Sequence, residues 1–374
     1  MAAHPATVPD PRSSASSPWG LVLRVFILLG LLYMFMLSIT MLGAAFKLMG
    51  KGVAESILQA TSNPMVGLMI GLLSTAIIQS SSTTTSIVVG MVGTAALSFD
   101  NAVPIIMGAN IGTTITNVLV SLAHISRGDE FRRAFAGSTV HDFFNICTVI
   151  VLFPLERAFG IISYSSHVVE KLFRGTGGLT FTSPIADITN PVCTTLAHVL
   201  ADNGWVVAVV ALVMLFVALR YIVVVLKDMV LSKVERFFDR YVFRNSALGF
   251  LLGIVLTVLV QSSSITTSLI VPLIGAGVLS MHQIFPYVLG ANVGTTVTAF
   301  LASLAVGSHE AVSIAFAHLL FNAYGIVIFW PLKRVPIFLA ETLAKWTQRS
   351  RLVPILYIAT VFFIIPAVII YFAG

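Results

Sequence analysis

Residues 79–86, QSSSTTTS, and residues 261–268, QSSSITTS, each place a glutamine before a run of hydroxyl side chains inside strongly apolar sequence. A second polar block follows each, GANIGTT at 108–114 and GANVGTT at 290–296. The first pair of blocks offers Gln79, Ser80, Ser81, Ser82, Thr83, Thr84, Asn110, Thr113 and Thr114. The second offers Gln261, Ser262, Ser263, Ser264, Thr266, Thr267, Asn292, Thr295 and Thr296. Hydroxyls and amides both donate and accept hydrogen bonds, so such a set can turn N–H and O–H groups toward an oxyanion and oxygens toward a hard cation. We expect the glutamines, the serines, Asn110 and Asn292 to face the anion, and oxygens of Thr83, Thr113 and Thr266 to face the cation. Asp100 is the sole charged side chain between Gly67 and Ala123, and there is none between Gly249 and Gly307.

The setting is a membrane. Hydrophobic residues make up 57% of the chain against 10% charged, and the mean hydropathy is +0.98, far from the mix of a soluble domain. Apolar runs of the length that crosses a bilayer lie at 19–46, 102–123, 134–153, 205–226, 283–306, 311–331 and 352–373. Two longer runs, 64–97 and 246–280, are interrupted by Gly, Pro, Ser and Thr and contain the two glutamine-serine blocks. Residues 1–18 read as a disordered cytoplasmic tail, and the first run reads as a retained anchor. The net charge of +6 belongs to loops at the membrane, since no basic stripe with interleaved aromatics points to nucleic acid. Cys147 and Cys193 make no disulfide framework, and Asn-x-Ser/Thr sequons are absent.

The chain repeats itself. Residues 79–116 align with 261–298 without a gap, at an offset of 182, and 19 of 38 positions are identical. Gly67, Gly71 and Thr75 extend the match to Gly249, Gly253 and Thr257, and VHDFFN (140–145) meets AHLLFN (317–322) at an offset of 177. The loop ISRGDEFRR (125–133) holds three arginines, whereas its counterpart VGSHE (306–310) holds no lysine or arginine. By the positive-inside rule these loops lie on opposite sides, so the halves are inverted. The expected organisation is a first repeat at 19–155, an extracellular connection at 156–203, a second repeat at 204–334, and an amphipathic segment with a final helix at 335–374.

Unpaired polar groups are expensive in lipid, and irregular polar backbone survives there only when buried in protein or lining a cavity. Each broken run therefore reads as a re-entrant helical hairpin, and inversion brings the two tips together near the midplane, where discontinuous helices of transporters form their sites. The fold class expected is all-α and polytopic, with two inverted repeats, a re-entrant hairpin in each, and broken helices. A pocket without charge cannot hold a dianion in a low dielectric without counter-ions; co-bound Na+ would balance it and drive its uptake. The absence of an arginine clamp suits release on the far side.

The doubled QSSS, the doubled GAN[IV]GTT and RRAFAGSTVHDFFN (132–145) resemble the type II sodium-dependent phosphate cotransporter family over roughly 64–157 and 246–334. The resemblance implies secondary active symport of Na+ and inorganic phosphate by alternating access, with phosphate held by Gln79, Ser80, Ser81, Ser82 and Gln261, Ser262, Ser263, Ser264. It implies that Asn145, Thr295 and Thr298 contribute to a Na+ site. In that family the aspartate of the VHD motif marks electrogenic members, so Asp142 implies electrogenic transport; the second half has Leu319 there. Three Na+ with one dianion would carry a single net charge, worth about 2.3 kcal/mol per 100 mV. A shorter extracellular connection without sequons points to a bacterial inner-membrane protein.

Other readings remain at this level. Residue types do not separate phosphate from sulfate, and the GANVGTT segments could line a channel filter. An enzyme is disfavoured by the absence of a Gly-x-Ser-x-Gly elbow, a P-loop or a GxGxxG after a strand. His141 and His318 sit at matched positions without a ligand cluster and read as packing residues.

Overall fold

The computed structural model describes residues 18–175, 184–234 and 245–374, and all of the expected tail but its last residue lies outside these. Among the described residues the regular structure is all helical, with no strand. In chain order the helices are α1 (Pro18–Met49), α2 (Lys51–Ala60), α3 (Pro64–Ile78), α4 (Ser81–Gly93), α5 (Phe99–Gly112), α6 (Ile115–Ser121), α7 (Asp129–Phe159), α8 (Ile161–Gly175) and α9 (Pro184–Val199). They continue as α10 (Gly204–Val234), α11 (Ser246–Val260), α12 (Ser263–Ser268), α13 (Val271–Gly275), α14 (Met281–Val306), α15 (His309–Phe329), α16 (Arg334–Thr347), α17 (Val353–Ile358) and α18 (Ile365–Ala373).

Among the described residues, seven stretches are long and apolar enough to cross a membrane: Trp19–Met49, Phe99–His124, Asp129–Phe159, Gly204–Lys227, Met281–Val306, His309–Phe329 and Val353–Ala373. These are the seven runs read from hydropathy. Each of the two longer runs is a pair of arms: α3 and α4 in the first, α11 and α12–α13 in the second. Pro272, which has no N–H to continue the ladder, sits at the start of α13, where the first half has an unbroken α4. Hydropathy missed α2, an amphipathic helix bent 98° from α3.

The sequence repeat recurs as packing. Asn63 and Asn245 cap the first arms by accepting the N–H of Met65 and Ala247. The same arms then lie against α5 and α14 through glycines. A Cβ on Gly71 or Gly108 would enter the carbonyl oxygen of Ile105 or Leu68, and on Gly253 or Gly290 that of Tyr287 or Phe250, each pair related by 182 residues. Small residues allow such backbone approach where lipid supplies no hydrophobic drive between helices. Contacts between the halves are reciprocal: α8 packs on α15, α16 packs on α7, and α1 packs on α10, as in a two-fold interface.

Candidate functional site

Each glutamine-serine block is a helix break with the same backbone at both copies. Gln79 ends α3 in the left-handed region, φ 58°, its N–H bonded to Thr75 O at 2.7 Å; Gln261 ends α11 at φ 55°, bonded to Thr257 O at 2.7 Å. A residue other than glycine is uncommon there. Ser80 and Ser262 then turn extended and cap the next helices, their Oγ atoms accepting the N–H of Thr83 and Ile265. Hydroxyl side chains suit an N-cap because they satisfy a backbone donor the helix leaves free.

Both breaks open on one cavity of about 590 Å³. Gln79, Ser80, Ser81, Ser82, Thr83 and Thr113 line it from one half and Gln261, Ser262, Ser263 and Ser264 from the other. The halves also touch there directly. Ser82 Oγ lies 3.4 Å from Thr298 Oγ1, Thr298 Oγ1 donates to Gln261 Oε1 at 3.0 Å, and Ser264 Oγ donates to Thr113 O at 3.2 Å. Ser81 and Thr113 share a hydrogen bond at 2.9 Å. Such a cavity offers many rotatable O–H groups and two amides, and no carboxylate to repel an anion.

The other expected residues lie behind this cavity. Asn110 and Asn292 are not among its lining; they form a buried network between the halves. His141 Nε2 donates to Asn292 Oδ1 at 2.5 Å, Asn292 Nδ2 donates to Asn145 Oδ1 at 2.8 Å, and Asn145 Nδ2 donates to Asn110 O at 2.7 Å. His318 Nε2 meets Asn110 Oδ1 at 3.3 Å. Each histidine thus reaches the asparagine of the opposite GAN block. Thr266 and Thr295 hydroxyls donate within their own helices, to Ser262 O and Ala291 O. Asp142 is fully buried and accepts from Tyr357 at 2.9 Å through Oδ2, while Oδ1 has no partner.

Several residues escaped the sequence reading. The pocket expected to have no arginine has Arg220 in its wall, on α10 beside Phe216, Val217 and Val224. The signal was present: Arg220 is the one charged residue in the run 205–226, and charges within membrane helices are costly and tend to be functional. Asn117 was missed too; it donates to Thr267 Oγ1 at 2.7 Å and accepts from Ser268 Oγ at 2.9 Å, across the halves. A cation in the wall draws anions into the cavity, so Arg220→Gln should raise the KM for an oxyanion such as phosphate about three- to tenfold, more at low ionic strength, with the maximal rate kept. An unchanged KM at low salt would leave Arg220 to lipid headgroups.

Comparison with known proteins finds the sequence repeat as well. The Na+/Pi-cotransporter family model matches twice, at residues 34–166 and 207–340. Sodium-dependent phosphate transport protein 2A of Rattus norvegicus is 33% identical over 96% of this chain and 70% of its own length. The 2A protein of Ovis aries is 33% identical over 93% and 67%, and the 2B protein of Homo sapiens 32% identical over 92% and 64%. No solved structure matches. One matched segment contains each helix break, and the two breaks meet at one polar cavity: the chain belongs to the Na+/Pi-cotransporter family.

Proposed function

We propose that this chain is a symporter that moves inorganic phosphate inward with Na+ by alternating access, and that the transport is electrogenic. The observation that carries this reading is the single cavity into which both QSSS breaks open. Its hydroxyls and amides replace the water around a tetrahedral oxyanion, and the threonine and asparagine oxygens around it are hard ligands of the kind a small cation takes. The family's proteins are transporters rather than enzymes, and the relatives above are named as sodium-dependent phosphate transport proteins.

Alternating access draws support from topology. The first repeat supplies three spans, an odd number, so the second starts on the opposite side of the bilayer, provided that the hairpins and α8–α9 return to the side they leave. The halves are then inverted, as in transporters whose sites lie at a repeat interface. The cavity follows α10 from Phe216 to Val224, toward Lys227. With Arg127, Arg132 and Arg133 held inside by the positive-inside rule, that end is cytoplasmic, and we assign this arrangement as inward-facing, in a cell inner membrane with a cytoplasmic N-terminus.

Phosphate would contact Gln79, Ser80, Ser81, Ser82 and Gln261, Ser262, Ser263, Ser264, with Asn110 and Asn292 holding these tips from behind. Na+ would take oxygens from Thr83, Thr113, Asn145, Thr266, Thr295 and Thr298, and a further Na+ would meet Asp142, whose buried Oδ1 has no hydrogen-bond partner.

The test is uptake of radiolabelled phosphate into proteoliposomes with and without an inward Na+ gradient. A Na+ gradient should stimulate uptake several-fold, and an inside-negative potential should add to it. Uptake indifferent to Na+ removes the coupling. Competition by excess sulfate as strong as by unlabelled phosphate would transfer the assignment to another oxyanion.

A further inference from the structure

The final span, Val353–Ala373, belongs to neither repeat and turns most of its surface outward. Its inward-facing residues are few, with Pro354, Phe362 and Pro366 buried and Tyr357 partly so. Tyr357 donates its hydroxyl to Asp142 Oδ2 at 2.9 Å. Its ring is set by Phe135, Phe143 and Phe362, with centroids 6.3, 6.2 and 6.1 Å away. Immediately after it, Ala359–Ile364 winds as a π-helix, a rare geometry that recurs at functional sites.

Asp142 is the feature by which the halves differ most in chemistry. Its counterpart is Leu319, and the apolar surroundings of a 0% exposed carboxylate make each of its oxygens costly to leave alone. One is satisfied from outside the repeats, by Tyr357. The other, Oδ1, makes no hydrogen bond of good geometry, and the Thr114 hydroxyl is the other polar side chain beside the carboxylate.

We propose that Tyr357 is a positioning residue for the Asp142 carboxylate: by holding Oδ2 it aims Oδ1 at the transported cation, and so makes the last helix part of the Na+ site. The inference rests on the reading of Asp142 as a Na+ ligand. No oxygen of Tyr357 need touch the ion. Its hydroxyl fixes the carboxylate rotamer that a mobile cation would otherwise have to select, and it does so for one half alone.

Tyr357→Phe keeps the ring and its aromatic neighbours and removes the hydroxyl. In proteoliposomes at saturating phosphate, the Na+ concentration for half-maximal uptake should rise about tenfold or more, the scale of one hydrogen bond to a charged group. The KM for phosphate at saturating Na+ should stay at the parent value, and the melting temperature of the purified protein should fall by no more than the loss of one buried hydrogen bond entails. In an Asp142→Gly background the same change should add nothing. Parent-like Na+ dependence in Tyr357→Phe overturns the proposal, and so does an equal effect of the change with and without Asp142. If Asp142→Gly alone responds to Na+ and to imposed voltage as the parent does, it is the reading of Asp142 that has failed, and the proposal goes with it.

Discussion

Replacing both apex glutamines with glycine, Gln79→Gly together with Gln261→Gly, abolishes Na+-dependent phosphate uptake and leaves the protein folded. The two residues stand at φ 58° and 55°, where an L side chain costs roughly 1 kcal/mol and glycine costs nothing. Glycine therefore keeps or eases the break, which offsets the loss of the Gln261 bonds to Thr298 and Val258, and the melting temperature should stay near the parent value. What disappears is the pair of amides at the cavity. Two polar contacts to an ionised ligand, with the gap they leave open to water, are worth roughly a hundredfold or more in uptake at low phosphate. Radiolabelled uptake beside a thermal melt reads both. If uptake survives at near the parent level, the glutamines are turn residues and the phosphate site lies elsewhere.

Gly108→Ala and its counterpart Gly290→Ala should each remove most folded protein from the membrane. At both, a methyl group would enter a main-chain carbonyl of the facing arm, Leu68 O or Phe250 O. No side chain can swing aside, so the paired backbones must separate. Overpacking costs about 1–3 kcal/mol where relaxation is possible, and here it would also widen the seam that sets the hairpin against its span. The control is Gly67→Ala in the same seam, where the nearest atom is Ile105 Cγ1 at an ordinary 3.5 Å. Yield of monodisperse protein and its melting temperature should fall for the first two and hold for the third. Equal behaviour of all three would mean that the seam yields more easily than its geometry indicates.

Much of this was legible in the chain because membrane folding writes its constraints in runs. Spans need about 20 apolar residues, and the seven runs sit within a few residues of the seven helices. The breaks were legible because serine and glutamine in the middle of an apolar run have few uses, and because the repeat shows them twice. Side-chain partners were not. Nothing in the spacing tells that His141 reaches Asn292 and His318 reaches Asn110, since the pairing is set by how the halves dock. Asn110 and Asn292 stood beside the QSSS blocks by composition alone, yet they sit behind the cavity. Arg220 was hidden by averaging, one charge in a run whose mean hydropathy is high. Tyr357 had no counterpart to flag it, because it lies outside the repeat. α2 was missed for the usual reason that a short amphipathic helix of mixed composition resembles a loop in a hydropathy trace.

The crossed histidine–asparagine ties carry a consequence for how the molecule would move. Any sliding of one half past the other must break both, since each histidine is anchored on one side and its acceptor on the other. Related by the repeat but held at 2.5 and 3.3 Å, the two are unequal, so the His318–Asn110 tie gives way before the His141–Asn292 one. Under the alternating access proposed above, such ties are the contacts a change between settings has to unfasten first.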